Sequence, residues 1–134
     1  MTNKDLVLQG FKAMNSHDLS GFDALLGPNF MNHDMPMPAP GPGGFKQVMA
    51  MFLTAFPDMV IYVEEIVGEG EVVASRGYFT GTHRGDFMGI PATGKQVNVK
   101  YMDFWRFSGG KAAENWVRMD NIALMQQLGV MPAQ

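Results

Sequence analysis

The chain has 134 residues, of which 46% are apolar and 17% charged, with a formal net charge of −3 at pH 7. This is the composition of one globular domain over residues 1–134, large enough to enclose a core and a ligand cavity and too apolar for disorder. The charges are scattered with no basic stripe, which argues against nucleic acid, and the absence of cysteine removes disulfides, thiol nucleophiles and thiolate metal sites.

The opening MTNKDLVLQG lacks a basic segment followed by an apolar run, so no secretory signal is expected. No stretch reaches the roughly 20 apolar residues of a membrane span, and a cytoplasmic protein is the expectation. Val7, Phe11 and Met14 recur at helical spacing, with Leu6 beside them, and predict an amphipathic helix over about 3–15. Asn15 to Asp18 breaks it. A second short helix carries Phe22, Leu25 and Leu26 and stops at Gly27-Pro28. Asn29 to Asp34 alternates as a short strand. The stretch MPMPAPGPGG (35–44) follows, read as an ordered loop or lid because of its prolines and glycines. Phe45, Val48, Met49, Phe52 and Phe56 mark a third helix ended by Pro57-Asp58. From there the period is two. Strands are expected over 59–68, 72–83, 95–107 and 111–119, with turns at 68–71 and 108–110 and a Gly- and Pro-rich loop at 84–94. A last helix starts at Asp120 or Asn121 and ends at Gly129.

Helices first and an antiparallel meander afterwards is an α+β pattern. A strongly curved, mostly antiparallel sheet wrapped around the N-terminal helices buries both and leaves a cone-shaped interior. Gly77 and Gly81 are the expected places for a bend or bulge, which would change the facing of His83.

Alternate strand residues share a face, so in the 95–107 strand Val97, Val99, Tyr101, Asp103, Trp105 and Phe107 point one way. That set is the more apolar and is expected inside, with Asp103 in its middle. Lost hydration raises the pKa of such a carboxylate and suits it to act as a general base. The alternative is a structural carboxylate held by backbone, Lys100, Arg106 or Arg118. In the 72–83 strand Val73, Ser75, Gly77, Phe79, Gly81 and His83 share a face. If the two strands are antiparallel, His83 can approach Asp103 and form a proton-transfer or orienting pair; otherwise it is an exposed strand-end histidine.

The other expected cavity residues are Phe52, Phe79, Tyr101, Trp105, Trp116, Phe87, Asn32 and Met35. Trp116 shares a face with Glu114, Arg118 and Asp120, and Glu114 with Arg118 is read as a surface pair. Asn15, Asn32 and His33 have turn or capping roles as alternatives to a hydrogen bond into the cavity. Among the thirteen methionines, Met35, Met37, Met49, Met51, Met88 and Met102 are candidates for adaptable lining. His33, Asp34 and His83 lack metal-ligand spacing, no phosphate-binding glycine motif occurs, and no GxSxG is present, so no metal, cofactor or serine nucleophile is expected.

Four stretches carry a resemblance: FPD at 56–58, GTHRGDFMGIPATGK at 81–95, MDFWRFSGGKAAENW at 102–116 and D-x6-QLG at 120–129. Together they resemble the SnoaL-like polyketide cyclase family, of the cone-shaped nuclear transport factor 2 and ketosteroid isomerase fold. The resemblance implies a cofactor-free intramolecular aldol ring closure of a polyketide ester. Asp103 would be the base, His83 would hold or protonate the enolate, and Trp116 would line the cavity. It also implies the 84–94 loop as part of the cavity rim. Isomerisation, dehydration or hydrolysis of another small apolar carbonyl compound, and non-catalytic ligand binding, are the alternatives. Tyr78, Met102 and Phe104 on the opposite sheet face lead to the expectation of a homodimer or higher homo-oligomer through that face.

Overall fold

The computed structural model describes residues 1–132. Helix α1 spans Asn3–Ser16 and begins with a capping box, in which Asp5 N–H donates to Thr2 Oγ1 at 3.1 Å and Thr2 N–H returns to Asp5 Oδ2 at 3.0 Å. Its buried face is Leu6, Val7, Gly10, Ala13 and Met14. The second helical stretch is a single 3-10 turn, Leu19–Phe22, capped by Asp18, and strand β1 runs over Leu26–Asn32. Helix α2 spans Pro42–Ala55, so it starts three residues earlier than the sequence suggests. Pro42 sits in its first turn, where a missing N–H costs nothing and the fixed φ suits the helix.

Strands β2 (Val60–Glu69), β3 (Val72–Thr82), β4 (Gln96–Ser108) and β5 (Lys111–Met119) form the expected antiparallel meander, and α3 (Asn121–Leu128) follows. The sheet order is β1-β5-β4-β3-β2, and β1 pairs parallel to β5. The sheet is therefore mixed, and it is not closed into a barrel. The helices fill its concave side, where Phe22, Phe30, Phe45, Phe52, Phe56 and Val99 lie in one core.

Two bulges decide facing. In β2 the register shifts between Val63 and Glu65, opposite Gly77 of β3. A Cβ on Gly77 would lie 1.9 Å from the Tyr62 carbonyl oxygen, so only glycine admits this approach. The bulged strand is β2, and β3 keeps unbroken register with β4 from Val72↔Arg106 to Thr82↔Gln96. The second shift lies between Arg106 and Phe107, where Arg106 pairs with Glu114 and Phe107 with Ala112, leaving Ala113 as the extra residue.

Side-chain amides cover backbone that the ladders leave free. Asn15 bonds both Ile61 N–H (2.7 Å) and Ile61 C=O (2.9 Å), fixing the end of α1 to edge strand β2. Gln127 does the same for Asn98 (2.7 and 2.9 Å), beyond the point where β5 pairs with β4. Asp120 caps α3 through Ala123 N–H at 3.0 Å.

Candidate active site

The concave face encloses a cavity of about 80 Å³ between α1, α2 and the sheet. Its lining is almost wholly apolar, with Phe11, Phe45, Phe52, Phe79 and Tyr101 providing aromatic surface and Met14, Met35, Met49, Met59 and Met119 the thioethers. Asp103 is the single ionised carboxyl among the lining residues. Of the methionines singled out in the sequence only Met35 and Met49 reach it; Met51, Met88 and Met102 are 62%, 75% and 62% exposed.

Asp103 is 8% exposed and faces Ser75 directly in the β3–β4 register. Its Oδ1 accepts from the Ser75 hydroxyl at 2.6 Å and from the Ser75 N–H at 3.0 Å, while Oδ2 makes no hydrogen bond within the protein. No cation pairs with it among the described residues. Burial pushes its pKa up to about 6, opposed by the hydrogen bonds from Ser75 and by the nearby Trp105 indole. The indole N–H comes near enough to favour the carboxylate, yet it meets no acceptor at hydrogen-bond geometry. Tyr101 extends the group: its hydroxyl is 3.4 Å from Ser75 Oγ, and burial pushes its pKa up to about 12, so it stays a neutral phenol. Since the Ser75 proton goes to Asp103, Ser75 Oγ is free to accept from Tyr101. A chain of hydroxyls thus ends on the carboxylate.

His83 does not join this group. It lies eight residues along β3 from Ser75, roughly 26 Å at about 3.3 Å per residue, and no residue of the cavity lining is His83. His83 does face inward, but antiparallel register pairs Ser75, not His83, with Asp103. His83 is fully buried against Phe56, with ring centroids 5.5 Å apart. Its Nδ1 accepts from Thr93 N–H at 3.2 Å and lies 3.0 Å from Thr93 Oγ1. Its backbone also bonds Lys95 and Gly94, so His83 pins both ends of the 84–94 loop.

Phe52, Phe79, Tyr101, Trp105 and Met35 line the cavity as expected. Trp116 does not, because the bulge at Ala113 turns Ala112, Asn115, Val117 and Met119 inward and leaves Trp116 outside. There it stacks on His33 at 4.9 Å and meets Phe104 edge-on at 5.9 Å. Phe87 packs behind Phe52 and Phe56, at 5.5 and 5.4 Å, and no residue of 84–94 forms the rim. Asn32 is buried but off the cavity; its Oδ1 takes the N–H groups of Asp34 (2.9 Å) and Met35 (2.8 Å), a turn that sends Met35 inward. Glu114 pairs with His33 (2.7 Å) and Arg106 (3.5 Å), whereas Arg118 pairs with Asp34 (3.2 Å), so the expected Glu114–Arg118 pair is absent. Ser75 and Asn115 are the lining or buttressing polar residues that the sequence reading passed over. Among the described residues no cluster of three or more His, Asp or Glu side chains is arranged to hold a metal ion, and no helix is long and apolar enough to cross a membrane.

A curved mixed sheet over helices, with one buried acid in an apolar cavity, defines a nuclear transport factor 2-like domain built around a small-molecule pocket. The SnoaL-like polyketide cyclase model matches residues 5–128, and the chain belongs to that family. AclR of Streptomyces galilaeus, assigned as a candidate hydroxylase, is 32% identical over 98% of this chain and 83% of its own, with a TM-score of 0.84. IdmH of Streptomyces antibioticus, a candidate polyketide cyclase, is 31% identical over 96% and 99%, with a TM-score of 0.81. TsrD of Streptomyces laurentii shares 26% identity over 95% and 94%, with a TM-score of 0.88. No curated protein sequence matches the chain.

Proposed function

We propose that this protein is a cofactor-free acid–base enzyme that closes a ring in a polyketide-like ester by intramolecular aldol condensation, with Asp103 as the base. The observation that carries the reading is the environment of Asp103: buried in an apolar wall, unpaired with any cation among the described residues, and with a pKa raised to about 6. A non-catalytic binding protein leads to the opposite expectation, a salt-bridged carboxylate held low. At neutral pH Asp103 is mostly ionised, yet far more basic than an exposed aspartate, which suits proton abstraction from carbon.

Oδ2, free of protein partners, takes the proton from the carbon alpha to a carbonyl. The enolate carbon then bonds to a second carbonyl carbon of the same molecule, and the resulting alkoxide is protonated. The sum is an isomerisation that consumes no co-reactant. Apolar walls fold the chain so that its ends meet. A cavity of about 80 Å³ is small for a polycyclic ligand. Admission of one therefore depends on the five lining methionines, whose unbranched side chains move at low cost. The relatives' assignments, hydroxylase and cyclase, differ from each other, so the reading rests on the site.

The test is turnover of a nogalonic-acid-type ester by wild type and Asp103→Asn. Loss of about 100-fold or more in rate is expected for the variant; full activity removes Asp103 from the mechanism. Turnover of ketosteroids or epoxides in place of the ester moves the assignment to isomerase or hydrolase. We further propose a homodimer through the outer sheet face, where Tyr62, Val67 and Met102 are 44%, 63% and 62% exposed. Light scattering that gives a monomer at micromolar concentration ends that proposal.

A further inference from the structure

With His83 distant, the proposed enolate lacks its expected partner, while the cavity wall holds two polar side chains without one. Trp105 on β4 and Asn115 on β5 pair directly in register, and both line the cavity. Trp105 is 4% exposed and Asn115 fully buried. The indole Nε1–H lies near the Asp103 carboxylate but meets no acceptor at hydrogen-bond geometry, and among the described residues neither Nδ2 nor Oδ1 of Asn115 has a partner. Native folds leave few buried polar atoms unmet, because each keeps the cost of its lost hydration. Three on one register pair, with Asp103 two residues along the same strand face, make an arrangement that a ligand would complete.

The chemistry of these atoms narrows the ligand. An indole N–H only donates, so it seeks an oxygen acceptor. A carboxamide with both ends unmet seeks a group that accepts and donates together. We infer that Trp105 Nε1–H and Asn115 Nδ2 bind the carbonyl oxygen beside the carbon that Asp103 deprotonates, while Asn115 Oδ1 accepts from a neighbouring hydroxyl. The ligand class is a ketone flanked by a hydroxyl or enol, as in an enolised 1,3-dicarbonyl compound. As the proton leaves, negative charge grows on the bound oxygen, and donors already in place in a dry wall stabilise it without reorganising. This inference rests on Asp103 being the base.

The test reads binding, so it is separate from turnover. The background is Asp103→Asn, which stands in for the protonated base that accompanies an enolate. The probe is 4-nitrophenolate, an oxyanion on a flat apolar ring whose absorbance reports its ionisation; 4-nitrotoluene is the neutral match. Trp105→Phe removes the N–H and keeps an aromatic wall, and Asn115→Leu exchanges the unmet amide for an apolar side chain of similar size. Each is expected to weaken 4-nitrophenolate about tenfold or more and to leave 4-nitrotoluene within about twofold. The melting temperature of Asn115→Leu should equal or exceed that of its parent, since an unpartnered amide is lost; Asn115→Ala replaces it if leucine overfills the site. If phenolate does not bind, or if both variants keep the ratio of the two probes unchanged, the polar pair merely holds internal water and the inference fails. Oxyanion recognition that depends on both residues, beside an Asp103→Asn enzyme that keeps full activity, would overturn the base while sparing the oxygen site.

Discussion

Asp103→Asn removes a charge from an apolar wall and keeps nearly all of the shape, so its effect on stability can be worked out. The folded carboxyl titrates at about 6 against 3.8 for the ordinary group. Below 3.8 both folded and unfolded chains hold the proton and the residue costs nothing. Between 3.8 and about 6 the folded chain keeps a proton that the unfolded chain has released, so stability falls as pH rises. Above about 6 the loss is complete. At about 1.4 kcal/mol per pH unit it amounts to ~3 kcal/mol. Asparagine does not titrate, so the stability difference between variant and wild type should grow by ~3 kcal/mol in the variant's favour from pH 3.5 to pH 8. Urea titrations followed by fluorescence of the two tryptophans would measure this at five or six pH values. A difference that stays constant across the window would mean that Asp103 titrates as an ordinary surface acid, and one that grows in the opposite sense that its carboxylate is held below the ordinary range. The physical basis for its being the base would then be gone.

Other substitutions separate structural from chemical roles. His83→Asn, whose Oδ1 can replace Nδ1 as acceptor for Thr93 N–H, should keep the 84–94 loop ordered and turnover near wild type. His83→Leu should raise amide exchange in that loop by ten-fold or more and depress turnover much less than Asp103→Asn, as exchange mass spectrometry and rate assays would record. Gly77→Ala drives a methyl group into the Tyr62 carbonyl, 1.9 Å away, and should cost about 3 kcal/mol or more in chemical denaturation, because the β2 bulge must be rebuilt.

Much of the fold was legible because its signals are local. The apolar stripe of α1, the capped ends of α3, the wide apolar face of α2 and the period of two along β4 all follow from short-range pattern. The inward phase of Asp103 followed from the same period, and so did the lining by Tyr101, Trp105 and Phe79. What escaped was register. Whether Ser75 or His83 meets Asp103 depends on where β3 and β4 are aligned, and alternation repeats identically at every shift of two. Trp116 was misplaced for a related reason: strict alternation from Ala112 sends it inward, and the extra residue at Ala113 reverses that. The parallel pairing of β1 with β5 joins residues some eighty positions apart and leaves no period to read. Asn115 was within reach of pattern reasoning, since Asn115, Val117 and Met119 form the more apolar of the two alternating sets.

The spare residue at Ala113 also bears on how chains of this kind can change length. Deleting it smooths the hairpin while Arg106↔Glu114 and Trp105↔Asn115 stay matched, so the pocket wall is untouched. Deleting Trp116 instead inverts every position after it and turns Val117 and Met119 out to water. Insertions and deletions at the β4–β5 hairpin are thus silent to the cavity, and those a few residues later are not. With this bulge the hairpin can change length while the cavity-lining part of β5 keeps its facing.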